Sequence, residues 1–136
     1  PCRLTVGALG TFTLPQGLYL YLGSARGPGG LAARLAHHRR PPTRPHWHVD
    51  YLRVAGARPV AVGWAEGEAR RECAWAREAL TLPGAEGPIP RFGASDCRCP
   101  THLIFLDAAG EAMRTPQAVL EALARRLDVP LTCLLL

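Results

Sequence analysis

The sequence predicts an α/β (α+β) domain with a small sheet, and three observations carry that prediction. Short apolar runs bounded by Gly or Pro recur at Arg3–Ala8, Leu18–Gly23, Pro59–Trp64, Leu103–Leu106 and Leu131–Leu136, as strands do. The segments between several of them place apolar residues three and four apart, the helical period. The 136 residues are 48% apolar and 20% charged, which suits a single globular domain able to build its own core.

The elements follow in order. Arg3–Ala8 alternates weakly and ends next to Gly10, so it reads as a strand, and Thr11–Gln16, which contains Pro15, reads as a turn. Leu18–Gly23 is a second strand, with Tyr19 and Tyr21 on one face because strand side chains alternate. The Gly-rich run 23–30 is a loop. A helix is expected over Gly29–Arg40, with Leu31 and Leu35 on one stripe and Pro41-Pro42 ending it. Pro45 suits the first position of the next helix, in which Trp47, Tyr51 and Val54 fall at helical spacing and Gly56 is the stop. After the Pro59–Trp64 strand, Glu66–Leu80 is a helix with Ala69, Cys73, Ala76 and Leu80 on one face. Pro83–Pro100 reads as a long loop, Leu103–Leu106 as a buried strand, and Leu131–Leu136 as a last strand. Thr115 is placed to cap a final helix that begins at Pro116 and carries Leu120, Leu123 and Leu127.

Charge narrows the function classes. The net charge is +5, and the chain has no Lys, so its basic side chains are all Arg. Residues 26–58 hold seven Arg against Asp50 alone, a balance of +6, together with His37, His38, His46 and His48. Such a footprint suits a phosphate backbone. It makes Arg26, Arg39, Arg40, His46 and His48 candidate contacts to nucleic acid; the alternative is a solvated basic surface. No apolar run approaches the roughly 18 residues of a membrane span. Pro1-Cys2-Arg3-Leu4 lacks the pattern of a signal peptide. The five cysteines are odd in number and not spaced as a secreted disulfide framework, so a cytoplasmic setting is expected, with no membrane.

Several motifs carry a resemblance. Gly17-Leu18-Tyr19-Leu20-Tyr21-Leu22-Gly23-Ser24-Ala25 precedes a Gly-rich loop and a helix bearing Arg34 and His38. Farther on lie His46-Trp47-His48-Val49-Asp50-Tyr51, Glu72-Cys73, and Phe92-Gly93-Ala94-Ser95-Asp96-Cys97-Arg98-Cys99-Pro100-Thr101-His102. The chain resembles the GIY-YIG nuclease superfamily and, more narrowly, a family of small GIY-YIG-like domains of unknown function. The likeness implies a three-stranded, mostly antiparallel sheet flanked by helices. It assigns residues 1–109 to that domain and leaves 110–136 as a C-terminal helix and tail packed on it. It also implies a metal-dependent DNA endonuclease that hydrolyses phosphodiester bonds. Tyr21, Arg34 and Glu72 match the second-strand tyrosine, the helix arginine and the metal-binding glutamate, and His38 lies one turn beyond Arg34. The superfamily's two strand motifs here run together on one strand, so the first tyrosine is expected either upstream of Pro1 or at Tyr19.

The chemistry of these side chains is coherent by itself. Glu72 is a hard oxygen ligand for Mg²⁺ or Mn²⁺. Arg34 offers a donor fork that fits phosphate oxygens, Tyr21 can hold a water, and His38 can serve as acid, base or phosphate donor. Each also has an ordinary reading, as strand aromatic or solvated surface residue. No base-reading element is visible, so recognition directed by DNA structure rather than sequence is expected.

Cys97, Cys99 and His102 form C-x-C-x₂-H, and Cys73 could complete a Cys₃His zinc set. The alternatives are a buried free Cys73 and assignment of Asp96 and His102 to the nuclease site. A Cys97–Cys99 disulfide would close too short a loop. His46 and Asp50 could pair on one helix face. Besides the endonuclease, two readings stand: a non-catalytic nucleic-acid-binding module on the same fold, and a zinc-stapled domain that binds a protein.

Overall fold

The computed structural model describes residues 2–23, 30–40, 48–65, 71–94, 97–106, 115–127 and 130–135, with the side chains of residues 2, 31, 34 and 39 outside that description. Its strands are β1 (Cys2–Val6), β2 (Gly10–Leu14), β3 (Leu18–Tyr21), β4 (Ala61–Trp64), β5 (Ala85–Glu86), β6 (Leu103–Leu106) and β7 (Thr132–Leu135). The helices are α1 (Gly30–Arg39), α2 (His48–Val54), α3 (Glu72–Leu80) and α4 (Pro116–Ala124). This is the mixed α/β architecture expected, and its central sheet is three-stranded and antiparallel, in the order β3-β6-β5. Two two-stranded antiparallel pairs, β1-β2 and β4-β7, were not expected.

Thr11–Gln16 is not a turn. Gly10–Leu14 forms β2, paired with β1 from Cys2↔Leu14 to Val6↔Gly10. The alternation decides it: Thr11 and Thr13 face solvent while Phe12 is half-buried and Leu14 buried, and Pro15 lies beyond the last paired residue. The chain reverses instead at Gly7–Leu9, between Gly7 and Gly10 at φ +45° and +109°, which glycine adopts without the Cβ penalty. The Thr5 and Thr11 hydroxyls meet across the pair at 2.8 Å.

β6 is the centre of the molecule. All four of its residues are buried, as a continuous apolar run covered on both sides requires. Its register with β3 runs from Leu18↔Leu106 to Tyr21↔Leu103, and the two faces part by the period of two. Leu18, Leu20, Ile104 and Leu106 pack with Ala76 and Ala79 of α3 and Val119 and Leu123 of α4. Tyr19, Tyr21 and Leu103 pack with Leu4, Val6 and Leu14 of the hairpin, Leu52 of α2, and Ile89 and Phe92. Burying each such side chain is worth about 1.5–3 kcal/mol.

The helices show where spacing misleads. In α2 the inward face is Asp50 and Leu52, with Val49 and Tyr51 partly covered, whereas Val54 is 55% exposed. Residues 45–47 and 66–70, into which the expected helices extend, lie outside the described residues. The loop expected over Pro83–Pro100 contains the short edge strand β5. At α4 the expected cap forms: Thr115 Oγ1 accepts from the Ala118 amide at 3.1 Å, with Pro116 in the first turn. Among the described residues, no helix is long and apolar enough to cross a membrane.

Candidate metal and nucleic-acid site

The loop that enters β6 is built by one arginine. Arg91 adopts φ +66°, a conformation that costs an ordinary residue about 1–2 kcal/mol. Its guanidinium offsets this by donating to the carbonyls of Cys99 and Ala94, each at 2.6 Å, and of Cys97. Its amide donates to the Pro100 carbonyl at 2.7 Å. Thr101 Oγ1 donates to the Ile89 carbonyl at 2.9 Å, and the His102 amide to that of Phe92 at 2.7 Å. These bonds hold the described residues of 89–102 together around the Arg91 side chain.

That folding brings Cys97, Cys99 and His102 to Cys73 in the first turns of α3. One ligand atom from each lies within 4.8 Å of the other three. Cys99 and His102 are buried, 1% and 3% exposed. Cys73 and Cys99 are joined as a disulfide, with Cα atoms 5.9 Å apart; Cys97 is free. His102 Nε2 lies 3.5 Å from Cys73 Sγ and 3.6 Å from Cys97 Sγ. Tetrahedral zinc, with bonds of about 2.3 Å to sulfur and 2.0–2.1 Å to nitrogen, sets the S···N edge at about 3.6 Å. With the cysteines reduced, this group could hold a metal ion such as zinc. Burial pushes the His102 imidazole below its ordinary range, and Arg91 adds to that, against opposing effects of Glu72 and Gly93. The neutral ring this favours is the form that binds metal.

Polar groups of two other elements, β3 and α2, converge beside this cluster. Gly93 (φ +69°) lies between Tyr21 of β3 and His102. A Cβ on it would sit 3.0 Å from Tyr21 Cε1 and 3.1 Å from His102 Cβ. Its amide donates to His48 Nδ1 of α2 at 2.7 Å. The Phe92 ring meets Tyr21 edge-on at 6.0 Å and His48 at 5.4 Å. Glu72, beside Cys73, is near enough to act on the His102 charge. Residues 21, 48, 72, 73, 93, 97, 99 and 102 thus form one polar locus.

The model of the family described as Domain of unknown function DUF123 matches residues 1–125. The chain belongs to this family. No curated protein and no solved structure matches the chain. The DUF123 match reaches past Gly110, where the motif resemblance stops, and takes in α4, whose Val119 and Leu123 belong to the core cluster.

Within the DUF123 domain the nominated residues divide into groups. Tyr21, Glu72 and His48 lie at the locus around Gly93 and His102, together with the four nominated metal ligands. Tyr19 shares the face of Tyr21, but its hydroxyl donates to the Pro15 carbonyl at 2.5 Å, at the other end of β3. His38 lies with His37 and Asp50 in a second group of possible metal-binding side chains. Tyr19, Tyr21 and His38 all border a cleft of about 810 Å³ with mainly apolar walls. Arg40 is exposed. Arg26 and His46, and the side chains of Arg34 and Arg39, lie outside the described residues.

Asp50, whose expected partner His46 lies outside the described residues, has a partner in α1. It is 2% exposed and accepts from His37 Nε2 at 3.0 and 3.1 Å, with Arg53 Nη1 3.8 Å away. Arg53 Nη1 also donates to the His37 carbonyl at 3.2 Å, and Nη2 to that of Arg40. This network ties α2 to the C-terminal end of α1, the helix that carries Arg34 and His38. Arg91, Gly93 and His37 received no role from the sequence. For Gly93 a signal existed, a glycine inside the Cys/His motif.

Proposed function

We propose that this domain is a metal-dependent DNA endonuclease of the GIY-YIG type, whose site loop is stapled by zinc in the reduced protein. The observation that carries the reading is the meeting of Tyr21, Gly93 and His102, from distant parts of the chain, with Glu72 near enough to act on the His102 charge. Tyr21 positions the attacking water, and Arg34 and His38 serve the phosphate from α1. Glu72 offers one carboxylate, the usual protein share of a Mg²⁺ or Mn²⁺ site otherwise filled by water. A divalent cation there supplies charge neutralisation for the scissile phosphate. The basic balance of residues 26–58 supplies the electrostatic footprint for the DNA backbone.

Zinc is supported by the donor set. A disulfide employs two of the four converging groups; a tetrahedral ion employs all of them, including Cys97 and His102. The full chain, purified with reductant, is expected to carry one zinc, and Cys97→Ser to lose most of it. Unchanged zinc in Cys97→Ser rejects the cluster as the site.

The activity test incubates the chain with branched, nicked and duplex DNA and Mg²⁺ or Mn²⁺. Cleavage by the wild type and its loss in Glu72→Ala are expected; no cleavage, or equal cleavage by the variant, removes the endonuclease reading. The engagement of the Tyr19 hydroxyl by Pro15 favours a second reading, a DNA-binding module without catalysis. It predicts an affinity that falls steeply with salt and survives Glu72→Ala.

A further inference from the structure

The Gly93 amide can only donate, so its 2.7 Å hydrogen bond to His48 Nδ1 fixes the tautomer: Nδ1 is bare and the ring proton sits on Nε2. Burial lowers the proton affinity of this imidazole, which keeps the ring neutral. His48 is half-buried against Phe92, whose ring also touches Tyr21. Among the described residues, none is recorded accepting from Nε2. The side chain is therefore a pre-oriented neutral N–H donor that shares the Phe92 ring with the tyrosine assigned to the attacking water.

The donor's anchor belongs to the metal loop. Gly93 lies between Phe92, whose carbonyl accepts from the His102 amide at 2.7 Å, and Ala94, whose carbonyl accepts from the Cys97 amide at 3.3 Å. Both neighbours of the anchoring amide are thus held by backbone bonds from residues of the Cys/His cluster.

We propose that His48 is a catalytic residue whose Nε2–H donates to a non-bridging oxygen of the bound phosphodiester, and that the Cys/His metal loop holds this donor in place through the Gly93 amide. The inference rests on the phosphodiester reading above. A fixed donor aimed where charge develops needs no reorganisation during reaction, and deleting one such group costs about 10²–10³ in kcat. His48→Ala should slow cleavage by about that factor. His48→Gln, which restores an N–H at the same reach, should recover part of it.

The test that does not depend on turnover is two-bond ¹H–¹⁵N correlation of the full chain at pH 7, reduced and zinc-loaded, with labelled histidine. His48 should appear as a single Nε2–H tautomer, and its Nε2–H resonance should shift when a short DNA duplex is added without Mg²⁺. Chelating the metal should blur the tautomer into a mixture. An Nδ1–H tautomer, a tautomer indifferent to the metal, or a His48 signal unmoved by a duplex that shifts other resonances overturns the proposal. So does wild-type cleavage by His48→Ala. If the wild type does not cleave at all, the endonuclease reading falls, while the tautomer and the duplex-induced shift still decide the role of His48.

Discussion

Replacing Gly93 by alanine tests the site and the fold together. Two costs arise. The backbone stands at φ +69°, where a Cβ costs about 1–2 kcal/mol. The new methyl would meet Tyr21 Cε1 at 3.0 Å and His102 Cβ at 3.1 Å. Those partners are a ring packed on Phe92 and a buried histidine with two cysteine sulfurs at its Nε2, so neither yields readily, and overpacking adds about 1–3 kcal/mol. The sum is about 2–5 kcal/mol, or a fall in Tm of roughly 8–20 °C for a domain of this size. Gly56→Ala is the control. Gly56 also has positive φ, +111°, but a Cβ there meets nothing within 4 Å; only the backbone cost should register. Thermal and urea unfolding of both variants measures the difference. A Gly93→Ala loss no larger than the backbone cost of about 1–2 kcal/mol would show that Tyr21 and His102 do not close on Gly93, and would dissolve the locus on which both proposals rest.

Three further outcomes are expected. Asp50→Ala should cost about 3 kcal/mol in urea unfolding, because Arg53 would be left with no carboxylate within a largely covered site; an unchanged midpoint refutes the α1–α2 tie. Burial lowers both His48 and His102 from the ordinary 6.5, so below about pH 6.5 the unfolded chain binds more protons than the folded one. Stability present above that pH should drain away as pH falls, and a urea midpoint that holds or rises between pH 7.5 and 5.5 contradicts this. Thr115→Ala should cost about 1 kcal/mol by removing the cap of α4, read from the same unfolding curves.

The parts of the fold legible in the sequence are those where one local signal dominates. Thr115-Pro116 carried its own cap, and the apolar run of β6 could only be a covered strand. Pro15 is a turn signal that lies just past a strand, and the alternation of Thr11 to Leu14 is the stronger signal. The site was legible where chemistry restricts the residue type: thiols and an imidazole at short spacing. Gly93, Arg91 and the His37–Asp50 pair were not. Their roles depend on which backbone atoms a long irregular loop and two helices bring together, and no spacing encodes that.

His102 stands immediately before β6, so the cluster grips the first link of the strand about which both cores are packed. An ion bound there is therefore coupled by mass action to unfolding of the whole chain. If it has no affinity for the unfolded chain, free metal at a thousand times its dissociation constant adds about 4 kcal/mol of stability. The amount of folded protein would then track the supply of that ion around it.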